Sequence, residues 1–539
     1  MGLKVLDNVG DSDQHNLSFL YHGLGSALLN KNEYSKAIDY FEKVLAIDEK
    51  LHGGEHPTIA NGYSNIGLAY DGKGEHDKAI DYFEKAIEID EKLHGMENPT
   101  IATKYNNIGS AFNNKGEYDK AIIYYEKALA IDKKFRNEEH PNIANRYNNI
   151  GSVYYRKGKY DKAIDYFSNA LSIDEKIHIE EHPDIAIRYT NIGLAYDGKG
   201  DHDKAISCYQ RALAIDGKLY EEEFPDSAIH YFNIGSSYQS KGEYDQATDY
   251  YEKALAINEK FHKMGHTKIE AKYHNIGSAY NSKGEYQKAI DYYEKALSIY
   301  KKYYSEKHDS IATIYNNIGL AHYSKGEYDK ALDYYEKALT NRKKFRGEEH
   351  SDIAIEYNNI GLAHYSKGQY QKAINYYEKA LEIDKKFYVE ENSDIALKYN
   401  NMGSAYHGKC EYDKAISYFE KALAINKFFY GEEHSEIISN YHNIGICYRE
   451  NGQYDRAITY LEKALVLNEK LYGTEHIDIA IEKSSIGLTY EAKGEPDKAI
   501  EYLEKALFMM QKFVPSNHVH ITTIQEKLDS CLKKINKLN

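Results

Sequence analysis

The chain has 539 residues, a formal net charge of −15, and 28% charged residues of both signs. This balance favours solubility and disfavours a nucleic-acid backbone as the main partner. The four cysteines form no pair spacing, which indicates a reducing compartment. The sequence contains no apolar run of about 18 residues and no signal-peptide core, so we expect a cytoplasmic protein with no membrane partner.

Residues 1–16 are predicted to be an N-terminal leader. Residues 1–10 match Lys43–His52 at an offset of 42 residues, with Leu3 aligned to Leu45. Because Lys43–His52 is the predicted end of a helix, the leader is interpreted as the end of a truncated repeat. A short frayed leader is the alternative interpretation.

Residues 17–512 are predicted to be twelve tandem repeats of 42 residues each. The repeats contain no insertion or deletion, and a fixed period of this kind is the signature of a solenoid. One glycine occupies the same place in every repeat: Gly25, Gly67, Gly109, Gly151, Gly193, Gly235, Gly277, Gly319, Gly361, Gly403, Gly445 and Gly487.

Each repeat predicts two helices. In Tyr273–Ile299, apolar residues recur at helical spacing before and after a Lys-Gly pair. Gly284 can leave the first helix in a left-handed conformation, and Glu285 places negative charge near the start of the second. The small residues Gly277 and Ala289 allow a close approach of the two helices. Each repeat is therefore predicted to be a helical hairpin.

The spacing of these residues resembles the tetratricopeptide repeat. The positions that carry the resemblance are Tyr273, Ile276, Gly277, Tyr280, Ala289, Tyr293 and Ala296. Eight additional residues in the connection make the repeat similar to the kinesin-light-chain type. The resemblance implies an all-α, right-handed superhelical solenoid of twelve hairpins. Residues 513–539 keep the apolar period and are predicted to form a C-terminal capping helix.

An asparagine stands two residues before the repeated glycine in ten consecutive repeats. These residues are Asn65, Asn107, Asn149, Asn191, Asn233, Asn275, Asn317, Asn359, Asn401 and Asn443. The resemblance implies that the first helices line a concave groove, where such an asparagine ladder holds the main chain of an extended peptide. An amide suits this role because it donates and accepts at once. The alternative is structural, with each asparagine bonding the backbone of the neighbouring repeat.

The predicted groove is nearly neutral. Thirty positions lie four before, three after or seven after the asparagines, and only Arg156 and Glu450 among them are charged. This argues against a clamp for acidic C-termini and against the basic cargo groove of kinesin light chains, so association with kinesin is not predicted. An RNA-binding repeat would need basic and base-stacking side chains, which these positions do not supply.

The sequence predicts no catalysis and no cofactor. Histidine recurs in the connections between repeats, but one ligand per repeat cannot converge on a shared metal ion. His178 and His182 belong to a string similar to that of inverted zinc peptidases, which needs both histidines on one helical face. Here the string crosses a predicted helix end, so we predict no metal site.

The predicted function is that of a scaffold or adaptor that binds extended peptide segments of partner proteins in its groove. The alternative from another class is a regulatory repeat array of a larger signalling protein or enzyme, with the catalytic domain outside this sequence. The sequence does not identify the partner.

Overall fold

The computed structural model describes residues 11–95, 98–178, 181–220, 224–262, 269–303, 309–348, 350–387, 392–515 and 518–538. These ranges contain 25 α-helices and no β-strand, which confirms the all-α prediction. The helices are α1 Asp11–Asn30, α2 Tyr34–His52, α3 Pro57–Gly72, α4 His76–His94, α5 Pro99–Lys115, α6 Tyr118–Phe135, α7 Pro141–Arg156, α8 Tyr160–Ile177, α9 Pro183–Lys199, α10 His202–Leu219, α11 Ser227–Ser240, α12 Tyr244–His262, α13 Ile269–Lys283, α14 Tyr286–Tyr303, α15 Asp309–Ser324, α16 Tyr328–Arg346, α17 Ser351–Ser366, α18 Tyr370–Phe387, α19 Ser393–Gly408, α20 Tyr412–Tyr430, α21 Ser435–Glu450, α22 Tyr454–Tyr472, α23 Ile477–Lys493, α24 Pro496–Met510 and α25 Val519–Leu538.

A left-handed residue closes the turn inside each hairpin. Gly284 has φ +85°, and the backbone N–H of Glu285 donates to the carbonyl of Tyr280 at 2.9 Å. This arrangement satisfies a carbonyl that the end of the first helix would otherwise leave without a partner. In the described residues, two such turns carry a side chain at this position, Asn32 with φ 59° and Cys410 with φ 60°.

The two helices of a hairpin approach closely because one backbone carries no side chain. A β-carbon added to Gly277 would lie 2.6 Å from Cε1 of Tyr293 on the second helix. Ala289, on that second helix, is fully buried, so both predicted small residues lie at the contact. Small side chains at this seam let the aromatic ring pack directly on the facing main chain.

The hairpins stack through repeated contacts. Within each unit, second helices also pack on the first helix of the following hairpin, as α2 does on α3 and α20 does on α21. First helices of successive hairpins contact each other as well, for example α7 with α9 and α21 with α23. Within each unit, the first helices therefore share one surface, and the second helices lie behind it.

The chain divides into two compact units, Met1–Ile269 and Glu270–Asn539. In the first unit, α1 begins at Asp11, inside the segment predicted to be a leader, and residues 1–10 lie outside the described residues. In the second unit, α25 packs against α23 and α24 and buries Ile521 and Ile524. The right-handed superhelix stays a prediction.

Candidate functional site

The ten predicted asparagines all lie on first helices and are half-buried. We call the surface formed by these asparagines and their same-face helical neighbours the asparagine face, and we describe it within each unit separately. The repeated glycine faces the second helix of its hairpin. Each asparagine stands two residues before that glycine, which places its side chain on the opposite side of the first helix. The asparagine consequently borders solvent at the seam between adjacent first helices.

Six of the ten asparagines form a hydrogen bond to the preceding repeat. In each case the amide Nδ2 approaches the side chain 43 residues earlier in the chain. The bonds are Asn149 to Asn106, Asn191 to Asn148, Asn359 to Asn316 and Asn401 to Asn358, each 2.8 Å, with Asn65 to His22 at 3.2 Å and Asn317 to His274 at 2.7 Å. The partner is thus a side chain of the neighbouring repeat and not its backbone.

The other four asparagines differ from this pattern. Asn107, Asn233 and Asn443 make no such bond to the preceding repeat within the part of the chain that the structure describes. Oδ1 of Asn275 lies 3.2 Å from Nδ1 of His274, on its own helix. A side-chain amide has two N–H donors and a carbonyl oxygen with two lone pairs. A ladder residue that donates through Nδ2 therefore still has Oδ1 as an acceptor.

Apolar side chains are exposed beside the ladder. Four residues before their asparagines, Ile187 and Ile229 in the first unit and Ile355 and Leu397 in the second are 46–50% exposed. Charge is scarce on the face, and the side chain of Glu450 is paired with Arg449 at 3.0 Å. The face therefore combines amide groups with apolar surface and little net charge.

A row of buried polar pairs, which sequence reasoning missed, joins the second helix to the next first helix at several interfaces. An acid near the end of the second helix faces a cation fourteen residues later. The ion pairs are Asp90 with Lys104 at 2.6 Å, Asp132 with Arg146 at 3.0 Å, Asp174 with Arg188 at 2.8 Å and Asp384 with Lys398 at 3.1 Å. Asp216 makes the equivalent contact with Nε2 of His230 at 2.8 Å. We call these the cross-repeat pairs.

Two interfaces carry variants of the cross-repeat pair. Arg342 and Glu356 reverse the charges, with Nε 3.1 Å from Oε1, while Asn426 donates to Asn440 at 2.9 Å. Burial raises the pKa of Glu356 to about 7, against the opposing effect of Arg342. Burial also raises the pKa of Asp174 and Asp384 and lowers that of Arg146. The signal in the sequence that could have revealed these pairs is an acidic residue followed fourteen residues later by a basic one. At Arg342 and Glu356 the basic residue comes first.

The connection histidines have a structural role as helix caps. Nδ1 of His56, His140, His182, His350, His434 and His476 accepts the backbone N–H two residues later. Asn98 and Asn392 do the same through Oδ1. The cap satisfies a donor at the first turn of these eight first helices.

His178 and His182 come together with Asp184, and one ligand atom of each lies within 4.8 Å of the others. The rings are stacked, with centroids 3.5 Å apart and planes 8° from parallel. Nδ1 of His182 already accepts the N–H of Asp184 at 3.2 Å. Helix α8 ends before His178, so the two histidines do not share a helical face. Stacking recurs in other connections, as between Tyr430 and His434 at 4.0 Å.

An array of stacked helical hairpins joined by repeated interfaces defines a helical repeat protein. A family model described as a tetratricopeptide repeat matches residues 16–92, 100–176, 147–218, 199–260, 268–344, 310–386, 394–467 and 436–512. The chain belongs to the tetratricopeptide repeat family, which confirms the predicted family. Arrays of this family are protein-interaction scaffolds that bind protein partners.

Several solved structures are similar to the chain. BtubC (BKLC) from P. vanneervenii is 21% identical with a TM-score of 0.38, and the match covers 43% of this chain and 95% of that one. A Podosopora anserina putative kinesin light chain with nearly identical TPR-like repeats is 22% identical with a TM-score of 0.35, covering 38% and 98%. Yeast Tom70 is 15% identical with a TM-score of 0.38, covering 97% of each chain. A comparison with curated proteins found no match.

In the described ranges, no helix has the length and apolar character needed to cross a membrane.

The four cysteines are free thiols. Burial raises the pKa of Cys208 to about 11 and that of Cys447 to about 12, which keeps both thiols protonated near neutral pH.

Proposed function

We propose that this protein is a cytoplasmic scaffold or adaptor that holds extended segments of partner proteins against the asparagine face. The observation that carries the proposal is the ladder of half-buried amides on adjacent first helices. Each amide bonded through Nδ2 retains Oδ1 and a second N–H, which can accept from and donate to peptide groups of any sequence. The bond to the preceding repeat orients the amide in advance, and preorganisation of this kind favours binding.

The surroundings of the ladder support a peptide ligand. Ile355 and Leu397 expose apolar surface beside the amides, which suits side chains of an extended segment. The near absence of charge favours a main-chain grip over recognition of phosphate or nucleic acid. We further propose that the protein has no catalytic activity and no cofactor of its own, and that chelators leave partner binding unchanged.

The proposal is tested by separating the ladder from its structural bonds. A peptide selected by the full-length chain from a random phage-displayed library serves as the probe. In the variant Asn359→Ala with Asn401→Ala, two ladder amides are removed. In the matched control Asn316→Ala with Asn358→Ala, the acceptors of the same two hydrogen bonds are removed and the ladder stays intact.

We expect both double variants to lose similar thermal stability, because each breaks the same two bonds between repeats. The ladder variant should lose more peptide affinity than the control, which keeps the ladder amides and loses only the bonds that orient them. At about 0.5–1.5 kcal/mol for each lost bond to the peptide, the dissociation constant should rise roughly fivefold to 150-fold. Equal affinities of the two double variants for the selected peptide would show that the ladder has a structural role alone.

A further inference from the structure

The first hairpin interface lacks the cation of the cross-repeat pairs. Asp48 occupies the place of Asp132 and Asp174, but the residue fourteen positions later is Gly62. The carboxylate of Asp48 is only 7% exposed and accepts a hydrogen bond from Ser18 at 2.7 Å. Among the residues that the structure describes, no lysine, arginine or histidine forms an ion pair with it.

A cavity of about 330 Å³ lies at this interface, between α1, α2 and α3. Asp48, Ser18, Val44 and Gly62 line it together with the ladder residue Asn65. The rings of His15, His22 and His52 also line it, and none of them forms an ion pair with Asp48 in the described residues. The equivalent space at a complete interface holds a basic side chain. Arg188, for example, places Nε 2.8 Å from Asp174 and Nη2 2.8 Å from Asn145 of the preceding first helix. At the first interface the carboxylate is present, but Gly62 has no side chain to fill the space that Arg188 fills at the other interface.

A second interface supports this interpretation. Glu482 stands where the cation of a cross-repeat pair would be, and a cavity of about 320 Å³ lies beside it. Asn468, which lines that cavity and is 1% exposed, has no hydrogen-bond partner for Nδ2 or Oδ1 in the described part of the chain. Cavities thus occur at two interfaces where the first helix offers no cation.

We propose that the Asp48 cavity binds a lysine or arginine side chain of the held polypeptide. A buried carboxylate without a cation favours a charged donor, and an ammonium or guanidinium group would complete the ion pair that other interfaces make internally. Phe19, which is 83% exposed at the cavity rim, can cover the aliphatic part of the side chain and attract its charge. Because Asn65 lines the same cavity, this proposal rests on the proposed function and adds a basic residue to the preferred partner sequence.

The test uses the full-length chain with carbon-13 labelled valine methyl groups, because Val44 lines the cavity. The probe is acetyl-Ser-Ser-Arg-Ser-Ser-amide, and its control replaces arginine by citrulline, which has the same shape without the charge. We expect the arginine peptide to shift the Val44 signal saturably, with an affinity about tenfold to a hundredfold higher than that of the citrulline peptide.

Two variants make the result specific. Asp48→Asn removes the charge but keeps an amide that the array already carries at the equivalent Asn426, and it should abolish the preference for arginine. Gly62→Arg should fill the cavity from within and remove the Val44 response. Equal responses to the two peptides, no saturable shift with the arginine peptide, or an unchanged preference in Asp48→Asn would overturn the proposal.

The two proposals fail independently. The ladder variants Asn359→Ala and Asn401→Ala lie in the second unit, whereas the Asp48 cavity lies in the first. If the wild-type protein showed no preference for the arginine peptide over the citrulline peptide, the result of the ladder test would not change. Wild-type peptide affinity in the ladder variant would exclude binding of the peptide main chain by the asparagines. The Val44 experiment would still test whether the Asp48 cavity binds a basic side chain.

Discussion

The histidine cap of α7 couples the start of this first helix to pH. His140 caps α7 through Nδ1, which lies 3.1 Å from the N–H of Asn142. Protonation removes that acceptor and places a charged ring against Arg136, whose Nη1 is 2.6 Å from Nε2. Burial first, and then Arg136, lower the pKa of His140 below its ordinary value. The folded protein therefore prefers the neutral ring.

We expect His140→Asn to remove part of the acid sensitivity. Because the pKa is lower in the folded than in the unfolded state, the stability that the neutral ring contributes is present above about pH 6.5 and is lost as the pH falls through the folded value. Asn98 shows that asparagine can cap the same position, at 2.9 Å from the N–H of Thr100. The variant should match wild type at pH 7.5 within about 0.5 kcal/mol and exceed it at pH 5.5.

Urea unfolding at the two pH values measures this difference. His140→Ala serves as the control, because it lacks a cap and should be less stable than wild type by about 0.5–2 kcal/mol at pH 7.5. An equal loss of stability on acidification in wild type and in His140→Asn would contradict the role assigned to the ring. The position of these histidines in connections could be predicted from the sequence, but their caps could not, because histidine is not among the preferred N-cap residues.

In the hairpin that joins α19 to α20, the turn residue is under strain. Cys410 adopts the left-handed conformation that glycine holds in ten other described turns of this kind. A β-carbon is unfavourable there because it crowds the following carbonyl oxygen, whereas glycine pays mainly in unfolded-state entropy. The net effect should favour glycine.

We expect Cys410→Gly to raise the free energy of unfolding by about 0.5–1 kcal/mol. Cys410→Ser is the matched control, since it keeps a β-carbon in the same conformation and should bring no gain. Thermal and urea unfolding of the three proteins measure the effect. If serine stabilises as much as glycine, the thiol and not the backbone conformation is the source of the strain.

At the same scale, helices and turns could be predicted from sequence, whereas the contacts between hairpins could not. Apolar spacing and Gly284 indicated both helices and the left-handed turn. The cross-repeat pairs were missed because Asp132 and Arg146 lie on different helices, and their spacing of fourteen residues follows the connection instead of a helical period. Charges near helix ends also commonly face solvent, which hides a buried pair from sequence analysis.

The order of the cross-repeat pairs determines which hairpins can be neighbours. Removal of residues 133–174 deletes one repeat and brings Asp132 opposite Arg188, another acid and base. Removal of residues 343–384 instead brings Arg342 opposite Lys398. Both deletions remove the same length of chain and one interface, so the pairing at the new junction is the main difference between them.

We expect the second deletion to be less stable at its junction by about 3–5 kcal/mol, because a buried cation is left without its acid. Hydrogen exchange of the helices on either side of each junction measures local opening. Adding Arg342→Asp to the second deletion should restore protection by giving Lys398 an acidic partner. Equal protection at the two junctions would show that the charge order does not select neighbours.

For the whole array, the sequence predicted where the asparagine ladder lies but not what it contacts. The position before each Ile-Gly pair was sufficient to place Asn359 on a first helix. Its bond to Asn316, 43 residues earlier in the chain, depends on how adjacent first helices pack against each other. That packing could not be predicted from the sequence of one repeat. The peptide-binding role of the ladder remains a prediction.

The constant 42-residue period also has a consequence for how the gene can change. Unequal recombination between two repeats adds or removes whole repeats, so the reading frame and the helical phase both survive. Only exchanges that join complementary partners, such as Asp132 with Arg188, give a product whose new interface is satisfied. We therefore expect the reversed pair of Arg342 and Glu356 to limit the exchange of repeats across its interface.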